Sequence, residues 1–219
     1  MQDPIQRHPT RAEQLDILAT AIADLARPGD RVLDLGCGTG YLAHLVAAKR
    51  ADLTWTGVDL SADSLAAAPG NVPALAANAR WVQGNLSDPA AIDVGTEPFR
   101  FVVTALTFHD LDDAAKQAVL AWGAARLAAD GVILLYDRIR LTEAALFPLQ
   151  QSIWGRIERE HGRGMMTAAD FAEYQNLMSE KNRPARLADY TDWFAGLGLV
   201  SQPLHLHGNV ALIGAARPN

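Results

Sequence analysis

Residues 32–40 read Val-Leu-Asp-Leu-Gly-Cys-Gly-Thr-Gly, and this stretch decides the fold. It begins as an apolar strand and passes directly into a turn with glycines at 36, 38 and 40. Glycine lets the backbone turn sharply, and without a Cβ it leaves room for a ligand against the peptide groups. A dinucleotide fingerprint, Gly-x-Gly-x-x-Gly, needs its third glycine at position 41, which is Tyr41 here. The spacing therefore disfavours a pyrophosphate-binding turn.

With Asp34 before the first glycine, the run resembles the first motif of the class I S-adenosylmethionine-dependent methyltransferases. The resemblance implies that the cofactor is S-adenosyl-L-methionine. It also implies that the turn binds this cofactor through Asp34, Gly36, Cys37, Gly38 and Gly40.

Later stretches resemble further motifs of the same family. The β-rich run 54–58 ends in Asp59, which matches the acid that accepts hydrogen bonds from both ribose hydroxyls. Residues 81–85 resemble the motif beside the adenine amino group, where Asn85 replaces the usual acid but keeps an oxygen that accepts. The resemblance assigns to the cofactor, in addition, Leu60, Gly84, Leu86 and, at the end of a fourth strand, Ala105.

Alternating apolar strands and helical periodicities predict an α/β fold. We expect a Rossmann-like doubly wound sheet, mostly parallel, with an antiparallel C-terminal hairpin strand and a helical lid. A helix within 1–28 should cap the first strand. Further helices are predicted over 41–50, from Ser61 onward, and over 112–127. The turn Asp130-Gly131 should lead into a fifth strand at 132–136, and residues 200–205 and 210–215 should form the hairpin.

Residues 139–183 exceed what such a core needs and are rich in aromatic residues and methionine, with Met165, Met166 and Met178 among them. We predict one or two helices that form a lid over an adaptable apolar pocket within a single domain spanning 1–219. Trp154 and Tyr174 are the predicted substrate-binding residues of this segment. The alternative, that these side chains only pack the extra helices, stays open.

His109 is the candidate catalytic base, because it follows the fourth strand and imidazole exchanges protons near neutral pH. Its alternative role is to hydrogen-bond the start of the next helix. His205, His207 and Asn209 are predicted to form a polar substrate wall; a metal reading of the two histidines lacks a third ligand, so no metal is assigned. For Asp137-Arg138, a surface ion pair is favoured over a role in orienting substrate.

Bulk properties narrow the partners. A net charge of −6 and a pI of about 5.4 disfavour nucleic acid, since phosphate binding needs clustered Lys and Arg. The first ten residues have two prolines and no apolar core, so neither a signal peptide nor a membrane anchor is expected, and we predict a cytoplasmic protein. The single cysteine, Cys37, is expected to be a small buried spacer. The sequence gives no oligomeric state.

These observations favour an enzyme that methylates a small molecule of apolar or aromatic character, on an O, N, S or C atom. One alternative is an enzyme similar to carboxy-S-adenosylmethionine synthases, in which Arg138 or Arg186 would bind a carboxylate. Another is a non-catalytic S-adenosylmethionine-binding sensor or interaction subunit, which needs neither a base nor a closed pocket.

Overall fold

The computed structural model describes residues 10–162, 168–178 and 182–218. Its seven strands form one sheet, and in chain order they are β1 (Arg31–Leu35), β2 (Thr54–Asp59), β3 (Ala79–Gln83), β4 (Phe99–Ala105), β5 (Leu127–Arg138), β6 (Val200–His207) and β7 (Val210–Ala216). The order across the sheet is β3-β2-β1-β4-β5-β7-β6. All pairings are parallel except those of β7, which is antiparallel to both β5 and β6.

Helices cover both faces of the sheet, and they are α1 (Arg11–Leu25), α2 (Tyr41–Lys49), α3 (Ala62–Asn71), α4 (Asp113–Ala124), α5 (Phe147–His161), α6 (Phe171–Asn176) and α7 (Leu187–Gly196). Apolar residues of α1 and α2 pack on one face, and those of α4 and α7 pack on the other. The predicted doubly wound sheet with an antiparallel C-terminal hairpin strand is confirmed. None of these helices combines the length and the apolar composition needed to cross a membrane.

Side-chain caps explain where two helices begin. The Ser61 hydroxyl accepts a hydrogen bond from the backbone N–H of Ser64, and the Asp112 carboxylate accepts one from that of Ala115. Each cap satisfies one of the N–H groups that the first helical turn leaves without a partner. The predicted starts of α3 and α4 are confirmed.

The predicted turn at Asp130-Gly131, and a helix reaching Leu127, are wrong. Helix α4 ends at Ala124, and β5 begins at Leu127 and runs through both residues. Phe99 pairs with Leu127 and Phe101 with Val132, so β5 advances five residues while β4 advances two. An irregular stretch inside the strand accommodates the turn-forming pair without ending the strand.

The segment between β5 and α7 contains two helices, α5 and α6, as predicted. They enclose a small apolar cluster of their own, in which Phe147 lies 5.7 Å from Trp154 and 5.6 Å from Tyr174, ring centre to ring centre. Met165 and Met166, which the sequence also assigned to the lid, lie outside the described residues.

Candidate functional site

The glycine turn joins β1 to α2 and adopts backbone angles that favour glycine, with φ of +78° at Gly36, +53° at Gly38 and +81° at Gly40. A Cβ at Gly36 would lie 2.2 Å from Oγ1 of Thr107, so glycine is needed where the loop after β4 crosses the turn. A Cβ at Gly38 would meet nothing within 4 Å, because this residue borders open space. The turn therefore presents bare backbone to a cavity.

This cavity has a volume of about 690 Å³ and lies at the carboxyl ends of β1, β4 and β5. Ligands of open α/β sheets bind at this edge. Six residues predicted from the sequence line it, namely Asp34, Gly36, Cys37, Gly38, Ala105 and His109. Arg11, Asp110 and Arg138 line it as well.

Asp34 is a buried carboxylate in the wall of this cavity. Burial, followed by the negative charge of Asp59, raises the pKa of Asp34 to about 8. Its Oδ2 atom accepts no hydrogen bond from any described residue. An ionised carboxylate left in this state is costly, and a cationic ligand group beside it would remove the cost.

Asp59 ends β2 and ties the second strand to the glycine turn. Its Oδ2 accepts a hydrogen bond from the Gly38 N–H at 2.7 Å, and its Oδ1 accepts one from Ser61 N–H at 2.9 Å. Each carboxylate oxygen has two acceptor sites, so both can still accept from a ligand. Asp59 is thereby fixed beside the turn in an orientation suited to a pair of hydroxyls.

The remaining predicted cofactor residues follow β2 and β3. Leu60 is exposed, and Gly84 N–H donates to the Asp59 carbonyl at 3.0 Å. The Asn85 side-chain oxygen accepts from Ser87 N–H at 2.9 Å, whereas the Leu86 side chain is buried in the hydrophobic core. Gly40 caps α2, and a Cβ there would lie 2.9 Å from Val72. The ligand-binding roles of these residues stay predictions.

His109 lies in a short helical turn, Phe108–Asp110, directly after β4. Its Nδ1 lies 2.5 Å from Oδ1 of Asp137, and its backbone N–H donates to Oδ2 of the same carboxylate at 2.8 Å. Asp137 is completely buried near the end of β5. Because the carboxylate accepts from Nδ1, Nε2 is the ring nitrogen left to exchange a proton with a ligand.

The predicted surface ion pair between Asp137 and Arg138 is wrong, because Asp137 is buried against His109. The strand run 132–137 carried a signal for this. It is apolar up to a terminal carboxylate, as in the runs that end at Asp34 and Asp59, and the carboxyl ends of parallel strands meet at one edge of the sheet.

Trp154 and Tyr174 do not line the cavity. Both are buried in the cluster of α5 and α6, and the Tyr174 hydroxyl accepts a hydrogen bond from Leu141 N–H at 3.0 Å. Their contacts are those of the packing alternative, and a substrate role for them stays a prediction.

His205, His207 and Asn209 lie on the hairpin and also stand outside the cavity lining. Nδ1 of His207 lies 3.6 Å from the Glu13 carboxylate, and the Asn209 amide donates to the Ile139 carbonyl at 3.4 Å. Strand β6 is the outer edge strand, and β7 separates it from β5. Within the described ranges, no three His, Cys, Asp or Glu side chains group closely enough to hold a metal ion.

Comparison with known proteins places this site in a family. A family model described as a methyltransferase domain matches residues 32–131, the part that carries the glycine turn, Asp59 and His109. A glutathione S-transferase C-terminal domain-containing protein homolog of Drosophila melanogaster is 42% identical over 62 residues, which is 28% of this chain and 11% of that protein. Ribosomal protein L11 methyltransferase of Thermus thermophilus is 34% identical over 130 residues, 58% of this chain and 47% of that protein.

The chain therefore spans less than half the length of the curated relatives it matches. Among solved structures, an O-methyltransferase family protein from Burkholderia thailandensis superposes with a TM-score of 0.70 at 15% identity, covering 95% of this chain and 56% of that one. At this identity the likeness shows a shared fold.

Proposed function

We propose that this chain, a class I S-adenosylmethionine-dependent methyltransferase, transfers a methyl group to a hydroxyl of a small molecule with His109 as general base. The observation that carries this proposal is the pair formed by His109 and buried Asp137 in the cavity wall. A carboxylate that accepts from Nδ1 orients the imidazole and stabilises the imidazolium that forms when Nε2 takes up a proton.

The site suits S-adenosylmethionine. Asp34 offers a buried carboxylate oxygen with no donor among the described residues, which matches the ammonium of the methionine part. Asp59 matches the ribose hydroxyls, and the bare backbone at Gly38 leaves space for the ligand. The cofactor supplies a methyl group already activated on a sulfonium, so the protein has to position the acceptor, exclude water and remove a proton.

The transfer balances as a single displacement. The acceptor oxygen forms a bond to the methyl carbon while the carbon–sulfur bond breaks and its electron pair stays on sulfur. The hydroxyl proton passes to Nε2 of His109, and Asp137 holds the resulting imidazolium. Water takes the proton when the product leaves.

The His109–Asp137 pair favours this function over the alternatives. A carboxylate or thiolate acceptor needs no base, and a sensor subunit gains nothing from an oriented imidazole. A carboxylate site for a carboxylated cofactor gains no support from Arg186, since that side chain pairs with Asp189 outside the cavity. Arg138 does line the cavity, and its role is taken up below.

A turnover panel tests the proposal. The full chain is incubated with S-adenosylmethionine and simple phenols, aliphatic alcohols, amines, thiols and carboxylic acids, and S-adenosylhomocysteine and methylated product are measured by mass spectrometry. We expect product from hydroxyl compounds. Turnover confined to thiols or carboxylic acids would contradict a role for the base, and cofactor binding without turnover on any class would favour the sensor.

A further inference from the structure

We infer, on the basis of the proposed function, that the acceptor carries a carboxylate besides its hydroxyl and that Arg138 binds this carboxylate. Arg138 is the last residue of β5, its side chain is half-buried, and it lines the same cavity as His109.

The guanidinium of Arg138 contains donors that the protein does not fully use. One nitrogen donates to the side-chain oxygen of Asn182 at 3.2 Å, which is a neutral partner. Within the described ranges, no carboxylate lies at ion-pair distance from this guanidinium. A guanidinium presents five N–H donors in a planar fork that matches a carboxylate with two parallel hydrogen bonds.

The order of the strands places Arg138 on the acceptor side of the cavity. Asp59 and Asp34, which suit the ribose and the ammonium of the cofactor, lie on β2 and β1. His109 follows β4, and β5 lies beyond β4 in the sheet. A group at the end of β5 is therefore separated from the cofactor carboxylates by the base that faces the acceptor.

Asp137 fixes the distance between the base and the guanidinium. Its Oδ1 accepts both from His109 Nδ1 at 2.5 Å and from the backbone N–H of Arg138 at 2.7 Å. An acceptor held by its carboxylate at Arg138 would therefore present its hydroxyl to His109 in a defined register. Arg11 adds a second positive charge to the wall, and Asp110 adds a negative one.

Matched acids and amides test this assignment. The probes are 2-, 3- and 4-hydroxybenzoate and the three corresponding hydroxybenzamides, titrated by calorimetry into the full chain saturated with S-adenosylhomocysteine. We expect at least one acid to bind about tenfold to a hundredfold more tightly than its amide, as for a hydrogen-bonded charged pair.

Variants assign that preference to Arg138. Arg138→Gln should reduce it to about threefold or less, and Arg138→Lys, which keeps the charge but not the fork, should retain part of it. Arg186→Gln, at an exposed arginine paired with Asp189, should keep the wild-type preference. The affinity for S-adenosylhomocysteine alone should change less than about threefold in Arg138→Gln.

Three results would overturn the inference. They are an equal affinity of wild type for every acid and its amide, a preference that survives Arg138→Gln, and a loss of S-adenosylhomocysteine affinity in Arg138→Gln with the preference intact. The last result would assign Arg138 to the carboxylate of the cofactor. Acid binding that depends on Arg138 without methyl transfer to the hydroxyl would instead contradict the proposed function and leave the carboxylate site supported.

Discussion

At the scale of single residues, the site combines groups that oppose folding with groups that perform chemistry. Asp34 is buried without a hydrogen-bond donor for its Oδ2, and burial raises its pKa to about 8. Such a carboxylate destabilises the unliganded fold when ionised and becomes favourable when a cation joins it. The cofactor's ammonium is the group that we expect to do so.

Stability should therefore depend on pH through Asp34. The native state keeps a proton that the unfolded chain releases near pH 4, so the free energy of unfolding should fall as pH rises from about 4 to about 8, by an order of a few kcal/mol. Asp34→Asn should remove this fall, stabilise the unliganded protein at pH 8 and weaken S-adenosylhomocysteine binding at least about tenfold. Urea unfolding at pH 5 and 8, with calorimetry, measures both effects.

Asp63→Asn provides the control for this prediction, because Asp63 is an exposed carboxylate in the first turn of α3. Its substitution should change the free energy of unfolding by less than about 0.5 kcal/mol at either pH. Unchanged stability at pH 8 in Asp34→Asn, together with unchanged cofactor affinity, would contradict the role given to Asp34.

At the scale of elements, the glycine turn and the loop after β4 depend on each other. Thr107 crosses the turn so closely that a Cβ at Gly36 would meet its Oγ1 at 2.2 Å, and the Thr107 hydroxyl donates to the Gly36 carbonyl at 3.3 Å. Two residues further along the chain stands His109. The cofactor turn and the base are thus held by one contact.

Gly36→Ala should therefore destabilise the fold by about 2–4 kcal/mol, through both the left-handed backbone and the clash, and should also lower turnover. Gly29→Ala is a matched control, since Gly29 has φ +82° but a Cβ there would meet nothing within 4 Å. Its cost should be confined to about 1–2 kcal/mol with turnover retained. Equal unfolding free energies and equal rates for the two variants would show that the contact with Thr107 is unimportant.

The helices α5 and α6 permit a test of the lid. They pack on each other through their own cluster, and no described residue of 139–183 lines the cavity. If the segment closes over bound ligands, hydrogen exchange in 147–161 and 171–176 should slow when S-adenosylhomocysteine and an acceptor are added, more than in α4. Equal exchange with and without ligands would leave these helices as packing.

At the scale of the whole molecule, the sequence predicted what is encoded locally. The glycine turn, the terminal carboxylate of β2 and the capping residues Ser61 and Asp112 each fix structure within a few positions, and the strand order followed from the family resemblance. The turn signal at Asp130-Gly131 failed because pairing with β4 continues on both sides of it.

The missed part of the site depends on contacts between distant residues. Asp137 and His109 are 28 positions apart and meet only because β4 and β5 are neighbours in parallel. The histidines of the hairpin illustrate the opposite error. They fall on an edge strand that the intervening β7 keeps away from the cavity, and neither lines it.

The measurement that tests the central claim most directly compares turnover in wild type, His109→Gln and Asp137→Asn as a function of pH, with an acceptor found by the turnover panel. Wild-type turnover should rise with pH as the imidazole loses its proton. Both variants should be slower by about 10²- to 10⁴-fold, and His109→Gln should lack the rising limb. S-adenosylhomocysteine affinity should stay within about threefold of wild type in both variants. His44→Gln, at an exposed histidine of α2, should behave as wild type. Full turnover with an unchanged pH profile in His109→Gln would contradict the account.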